Sequence, residues 1–212
     1  MSNAAGEVGS PGLVYRSAAV YETVMLLLYG RHYAARQRAI ASLVPAGSSL
    51  LEVCCGPGTL YRRHLAAKDV RYVGLDINSR FLRHVARSGG EARLWDVRAP
   101  TPYPPAEYVL MQASLYHFMD DPGALIERMV AAATRQVILA EPVQNVVKQA
   151  GPAGRLAARL TDPGTGPQHH RFDESALDAV FEPFAPLVRD RRLLPGGREK
   201  LYVLDATPAA VS

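Results

Sequence analysis

The 212-residue sequence predicts an α/β fold: a mainly parallel sheet with helices on both faces. Two observations carry that prediction. Short apolar runs recur at regular spacing along the chain, and helical segments alternate with them. Strands joined by crossover helices build a parallel sheet covered on both sides.

The elements follow in chain order. Residues 1–12, "MSNAAGEVGSPG", are small and polar and predict a disordered N-terminus. From Leu13 to about Leu43 the pattern is helical. Val20, Val24, Leu27 and Leu28 share one face, Tyr21, Tyr29 and Tyr33 add aromatic bulk, and "YGRH" at 29–32 breaks the stretch into two helices. Then "SLLEVCC" precedes a helical Leu60–Ala67, "RYVGLDI" precedes Ser79–Ser88, and "EARLWDV" precedes a proline-rich loop. "AEYVLMQA" comes before a helical Pro122–Ala133, and "RQVILAE" before a long stretch to Arg171. In "HRFDESALDAVF", Asp173 is placed to cap a further helix and Phe172 to staple onto Leu177. "PLVRDRRLLP" and "EKLYVLDA", separated by two glycines, close the chain as a hairpin. The reading is one domain over 13–212, with 13–43 as a helical cover and 144–171 as a lid-like insert.

Composition narrows the function classes. The longest apolar stretch near the N-terminus, "VMLLLYG", falls far short of the ~20 residues that span a bilayer, and no basic segment precedes it as in a signal peptide. The two cysteines are neighbours on a strand and point to opposite faces, so no disulfide joins them and a cytoplasmic location is expected. The net charge is +4, but the 21 arginines and three lysines are scattered, and no nucleic-acid motif accompanies them. No metal is predicted, because no further cysteine exists and the histidines lack ligand spacing.

The strand "SLLEV" ends in Cys54, Cys55 and then Gly-Pro-Gly at 56–58. In an open parallel sheet ligands bind beyond the carboxyl ends of the strands, and glycines there let the backbone come close. Asp76, at the end of the next strand and 18 residues after Gly58, is placed to accept two ribose hydroxyls. A dinucleotide fingerprint needs a third glycine where this chain has bulky Tyr61. Glu52, before the turn, is a poor neighbour for pyrophosphate and a good one for an ammonium group. Together these features favour a nucleoside ligand without phosphates.

"LLEVCCGPG", "YVGLDIN", "ARLWDV" and "EYVLMQASLYHFMDDP", in that order, resemble the class I S-adenosylmethionine-dependent methyltransferases, in their broad small-molecule, type 11-like branch. The resemblance runs from about Arg31 to Leu204. It implies a Rossmann-like sheet of seven strands with the last antiparallel, S-adenosylmethionine as cofactor and S-adenosylhomocysteine as product. By that pattern Glu52, Gly56 and Gly58 belong to the first motif, and Cys54 stands where the family has its first glycine. Asp76 matches the acid that holds the ribose, Ile77 lies against the adenine, Asp96 meets the adenine amino group, and Val97 offers its amide. Gln112 falls where the chain passes the sulfonium, and Arg31 is a candidate for the methionine carboxylate.

Asp96 followed by Val-Arg-Ala-Pro also fits a simple turn cap. His117, His169 and His170 are the candidate bases, should the acceptor need one. Arg155, Arg159 and Arg171 beside the last two suggest an acidic or phenolic acceptor. The expected partner is a small-molecule acceptor rather than nucleic acid or membrane, with the protein a monomer or homodimer. Two alternatives remain. One is a noncatalytic S-adenosylmethionine-binding partner subunit. The other is a nucleic-acid methyltransferase, against which "MQAS" stands where a base-flipping enzyme carries Asn/Asp-Pro-Pro-aromatic.

Overall fold

The computed structural model describes residues 18–143 and 172–206. Seven strands form one sheet: β1 (Ser49–Val53), β2 (Arg71–Asp76), β3 (Glu91–Leu94), β4 (Ala106–Gln112), β5 (Ala133–Pro142), β6 (Val188–Leu193) and β7 (Glu199–Asp205). Their order is β3-β2-β1-β4-β5-β7-β6. β1 to β5 pair in parallel, and β7 runs antiparallel to both β5 and β6. This is the Rossmann-like α/β architecture with its final strand reversed.

Alternation along the strands divides the core between two faces. Leu51, Val53, Val109, Met111, Val137, Leu139 and Leu204 point to one side. There they meet α4 (Pro122–Ala132) and α5 (Glu174–Phe181) through Ile126, Met129, Leu177 and Phe181. Leu50, Tyr108, Leu110, Ile138, Leu201 and Val203 point to the other. They are covered by α2 (His32–Ala41) and α3 (Ser79–Arg87) through Ile40, Leu82 and Val85. Side-chain caps set three helix starts: Asn78 accepts from Arg80 and Phe81, Asp121 from Ala124 beside a proline, and Asp173 from Ala176. Phe172 and Leu177 are buried in the same core, as a staple requires.

Two expectations need correction. α1 (Ala18–Tyr29) buries Val24 and Tyr29, whereas Val20 and Leu27 are exposed at 41% and 69%. The helix docks through Val24 and Tyr29, while Val20 and Leu27 of the predicted face stay uncovered among the described residues. Residues 61–68 form a π-helical turn, Tyr61–Leu65, and a 3₁₀ turn, Ala66–Lys68, instead of a regular helix. The widened turn accompanies Tyr61 stacking on Tyr72 at 4.3 Å. The predicted N-terminal tail and the 144–171 insert lie outside the described residues. No helix among those described is long and apolar enough to cross a membrane.

Candidate functional site

β2 and β3 lie to one side of β1 and β4 to the other, so chain order reverses at β1 and leaves a crevice beyond its carboxyl end. Glu52, one residue from that end, is buried. It accepts the Tyr72 hydroxyl at 2.6 Å and Gln112 Nε2 at 2.6 Å, one partner from each adjacent strand. Burial pushes its carboxyl up to about 7, and the Tyr72 and Gln112 hydrogen bonds offset part of that rise.

Past Val53 the backbone enters the left-handed region at Cys54 (φ 56°), Gly56 (φ 55°) and Gly58 (φ 66°). A side chain there costs about 1–2 kcal/mol, so Cys54 is the strained member. Burial pushes its thiol up as well, which makes it a packing group rather than a nucleophile. Gly58 is pressed on α3: a Cβ there would lie 2.6 Å from Val85 Cγ2. A Cβ on Gly56 would meet nothing within 4 Å, so the outer side of the turn is open.

Asp76 closes the turn. Its Oδ2 accepts the Gly56 N–H at 2.8 Å and its Oδ1 the Asn78 N–H at 2.7 Å. Burial raises its carboxyl, and the backbone donors from Asn78 and Gly56 counter this. Each oxygen keeps capacity for another donor. Next to it Ile77 is exposed at 70% and Leu94 at 66%, an uncovered apolar shelf at the ends of β2 and β3. Asp96 is exposed and caps its own turn: its Oδ1 accepts the Arg98 N–H and its carbonyl the Ala99 N–H. Val97 is buried, with its carbonyl taken by Arg128.

On the β4 side the chain continues through Ala113 (φ 47°) into a 3₁₀ turn over Leu115–Phe118. The Glu141 carboxylate, on β5 and fully buried, accepts three successive amides there: Ser114 at 3.0 Å, Leu115 at 3.0 Å and Tyr116 at 3.3 Å.

The cover is held by two carboxylates. Glu22 on α1 accepts Thr59 Oγ1, Arg62 and Arg63 from the segment after the glycine turn. Burial pushes Glu22 up, but Arg63, Arg62 and Thr59 outweigh it and hold the carboxyl below its usual range. Glu199 on β7 accepts the Tyr29 hydroxyl at 2.6 Å and forms a buried ion pair with Arg36 of α2. Between cover and turn lies a small cavity of about 50 Å³, open to one side. Tyr29, Tyr33 and Gln37 line it from the cover, and Glu52, Cys54 and Gln112 from the sheet.

The structure thus brings Glu52, Cys54 and Gln112 to one cavity, and Gly56, Gly58, Asp76 and Ile77 to the adjoining end of β2. Arg31 stands apart: it is exposed, and its Nε donates to the His32 ring. The cation at the cavity is Arg36, and Glu199 neutralises it. His117 is exposed, with its ring 4.0 Å from that of Tyr116, and does not line the cavity. His169, His170, Arg155, Arg159 and Arg171 lie outside the described residues. Sequence reasoning passed over Tyr72, Arg36, Gln37, Glu141 and Glu199. Only the acids left a signal, as charges inside the apolar runs "RQVILAE" and "EKLYVLDA". Among the described residues no three His, Cys, Asp or Glu side chains gather to hold a metal.

No protein-family model matches the sequence, and no curated protein matches it. Solved structures do. Magnesium protoporphyrin IX methyltransferase from Synechocystis PCC 6803, crystallised with S-adenosylhomocysteine, aligns at a TM-score of 0.62 and 13% identity over 91% of this chain and 96% of its own. A SAM-dependent methyltransferase from Aquifex aeolicus aligns at 0.57 and 12% identity over 86% and 92%. The plantazolicin methyltransferase BpumL, in complex with a triazolic desmethylPZN analogue and S-adenosylhomocysteine, aligns at 0.63 and 9% identity over 91% and 93%. The chain has the fold of the class I methyltransferases.

Proposed function

We propose that the protein binds S-adenosylmethionine at the carboxyl ends of β1 and β2 and promotes methyl transfer to a small-molecule acceptor beneath the α1–α2 cover, with S-adenosylhomocysteine as product. The observation that carries the reading is the union of turn and acid, the Gly56 N–H on the Asp76 carboxylate at the point where strand order reverses. The likeness in fold to methyltransferases crystallised with S-adenosylmethionine and S-adenosylhomocysteine supports it.

The residues present fit this cofactor. Asp76 has acceptor capacity left for ribose hydroxyls, and the exposed Ile77 offers an apolar face for adenine. Val97 has a free backbone amide among the described residues. Glu52 supplies negative charge for a cationic tail, and the Gln112 Oε1 beside it is buried without a partner. When bound, the cofactor supplies an activated methyl on a sulfonium leaving group. The chain's own part is to hold acceptor and methyl in line and to exclude water. The cover does this, tied by Glu22 to the turn and by Arg36 to β7. The free thiols of Cys54 and Cys55 suit a cytoplasmic location, which belongs to the same proposal.

Calorimetric titration of the wild type and Asp76→Asn with S-adenosylmethionine, S-adenosylhomocysteine and NADH tests the reading. Binding of the two adenosyl ligands near micromolar, weakened at least tenfold in the variant, is the expected result. Binding of NADH, or of none of the three, overturns it.

A further inference from the structure

We propose that Arg128, on α4, is a positioning residue that clamps the 95–103 loop and so sets the preference of the site for an adenosyl ligand. This rests on the methyltransferase reading above and adds a determinant that lies outside the cavity.

The loop starts at the ligand-binding end of the sheet, from the exposed apolar shelf of Ile77 and Leu94. Leu94 pairs with Asp76, and the Trp95 N–H donates to the Asp76 carbonyl at 3.0 Å. Its first residues therefore lie against the acid assigned to the ribose. At Arg98 the loop is tied to the turn after β4. There Nη2 donates to the His117 carbonyl at 3.2 Å, and the guanidinium lies 5.0 Å from the Phe118 ring centre.

Arg128 holds the stretch between. Its Nη1 donates to the Val97 carbonyl at 2.7 Å, and its Nη2 to the Ala99 and Thr101 carbonyls at 2.7 and 2.9 Å. The guanidinium also lies 4.3 Å from the centre of the Tyr103 ring, whose hydroxyl reaches the same Val97 oxygen at 3.4 Å. Among the described residues no carboxylate pairs with Arg128. Its whole charge is directed at three carbonyls of one loop, and bonds from a charged donor are stronger than neutral ones.

These bonds bracket the peptide group that the reading above assigns to adenine. The Asp96 carbonyl and the Val97 N–H share one plane. That carbonyl accepts the Ala99 N–H at 3.0 Å, and Arg128 holds the carbonyls of Ala99 and of Val97 itself. The Val97 N–H is thereby kept in one orientation. Asp96 Oδ1 accepts the Arg98 N–H, and Oδ2 keeps acceptor capacity. A donor and an acceptor on neighbouring residues match the N1 and amino edge of adenine. Hypoxanthine brings the reverse pattern, an N1–H and a carbonyl, to the same two groups.

The experiment titrates the full chain by calorimetry with S-adenosylhomocysteine and S-inosylhomocysteine, for the wild type, Arg128→Met and Arg128→Lys. Methionine keeps an apolar stem over Tyr103 and removes every donor; lysine restores a point charge without the fork. The expected result is S-adenosylhomocysteine at least tenfold tighter than S-inosylhomocysteine in the wild type. That preference should fall below threefold in Arg128→Met and be intermediate in Arg128→Lys. No preference in the wild type overturns the proposal, as does the full preference retained in Arg128→Met. So does an equal loss of affinity for both ligands, which a merely structural residue would give. If Arg128→Met does not fold, Arg128→Lys decides alone: a preference reduced at least threefold supports the proposal, and an unchanged one overturns it. Failure of S-adenosylhomocysteine to bind the wild type overturns the methyltransferase reading instead. Hydrogen exchange at the Arg98 and Ala99 amides of the free protein then judges the clamp alone. Exchange at least tenfold faster in Arg128→Met upholds it, and unchanged exchange overturns it.

Discussion

The Tyr72 hydroxyl donates to Glu52 Oε2 at 2.6 Å from the neighbouring strand, and both groups are buried. The carboxyl at the centre of the candidate site is thus held by a neutral donor rather than by a cation. Burial lifts it to about 7 against the pull of that hydrogen bond, so its protonation follows the surrounding pH and the charge of any ligand.

The sign of the resulting pH dependence can be stated. Burial raises the folded carboxyl of Glu52 to about 7, above its ordinary 4.5. Its contribution to stability is complete below about pH 4.5, declines as pH rises between the two values, and is gone above about pH 7. The whole difference is about 3 kcal/mol. Glu52→Gln should flatten the stability profile between pH 5 and 8 by about 2 kcal/mol. Urea midpoints at both pH values, with unchanged m, measure it; an identical slope in the two proteins counts against a buried titrating Glu52.

Cys54 occupies a left-handed position that glycine adopts without cost. Cys54→Gly should therefore stabilise the fold, by about 1 kcal/mol after the added freedom of the unfolded chain is subtracted. For a domain of this size the melting temperature should rise about 2–4 °C. A fall shows that packing of the thiol outweighs the backbone strain.

Gly58→Ala combines two penalties, a positive φ and a Cβ only 2.6 Å from Val85 Cγ2. The expected loss is about 3 kcal/mol. Adding Val85→Ala removes the clash but not the φ strain, so the pair should be less destabilised than the sum of the single changes. Simple additivity in denaturant titration excludes the contact as the cause.

Arg36 and Glu199 form an ion pair away from water. Glu199→Leu leaves the guanidinium without its counter-charge and should cost about 3–5 kcal/mol. Arg36→Met together with Glu199→Leu should recover most of it, because an apolar pair of similar volume fits a buried place. Chemical denaturation of the four proteins of this cycle decides the matter.

The sheet and the glycine turn were legible because their residues are out of place for any other role. Gly-Pro-Gly after an apolar run stops a strand, and Asp76 recurs at the end of the next one. The polar frame was not legible. Tyr72 meets Glu52 across 20 residues, Glu141 meets Leu115 across 26, and Arg36 meets Glu199 across 163. These pairings exist only once the strand order β1-β4-β5-β7 is known. Helical periodicity likewise gave α1 an apolar face without showing that Val24 of it is buried while Val20 and Leu27 are exposed. Asp96 illustrates the same limit: its residue type suits ligand and turn equally, and its exposed carboxylate is engaged by the Arg98 amide of its own turn.

The tie between cover and β7 has a consequence in time. Tyr29 and Arg36 are separated from their shared partner Glu199 by 170 and 163 residues of chain. At about 5–20 residues per second a ribosome needs roughly ten to thirty seconds to travel that far. For that interval the first helices to emerge have no counter-charge to receive them, and the pocket they roof stands open. A nascent chain that stalls before β7 therefore carries the glycine turn and Asp76 but no anchored roof above them. The enclosure of the pocket is then a late event in synthesis, one that reports that the sheet behind it has been finished.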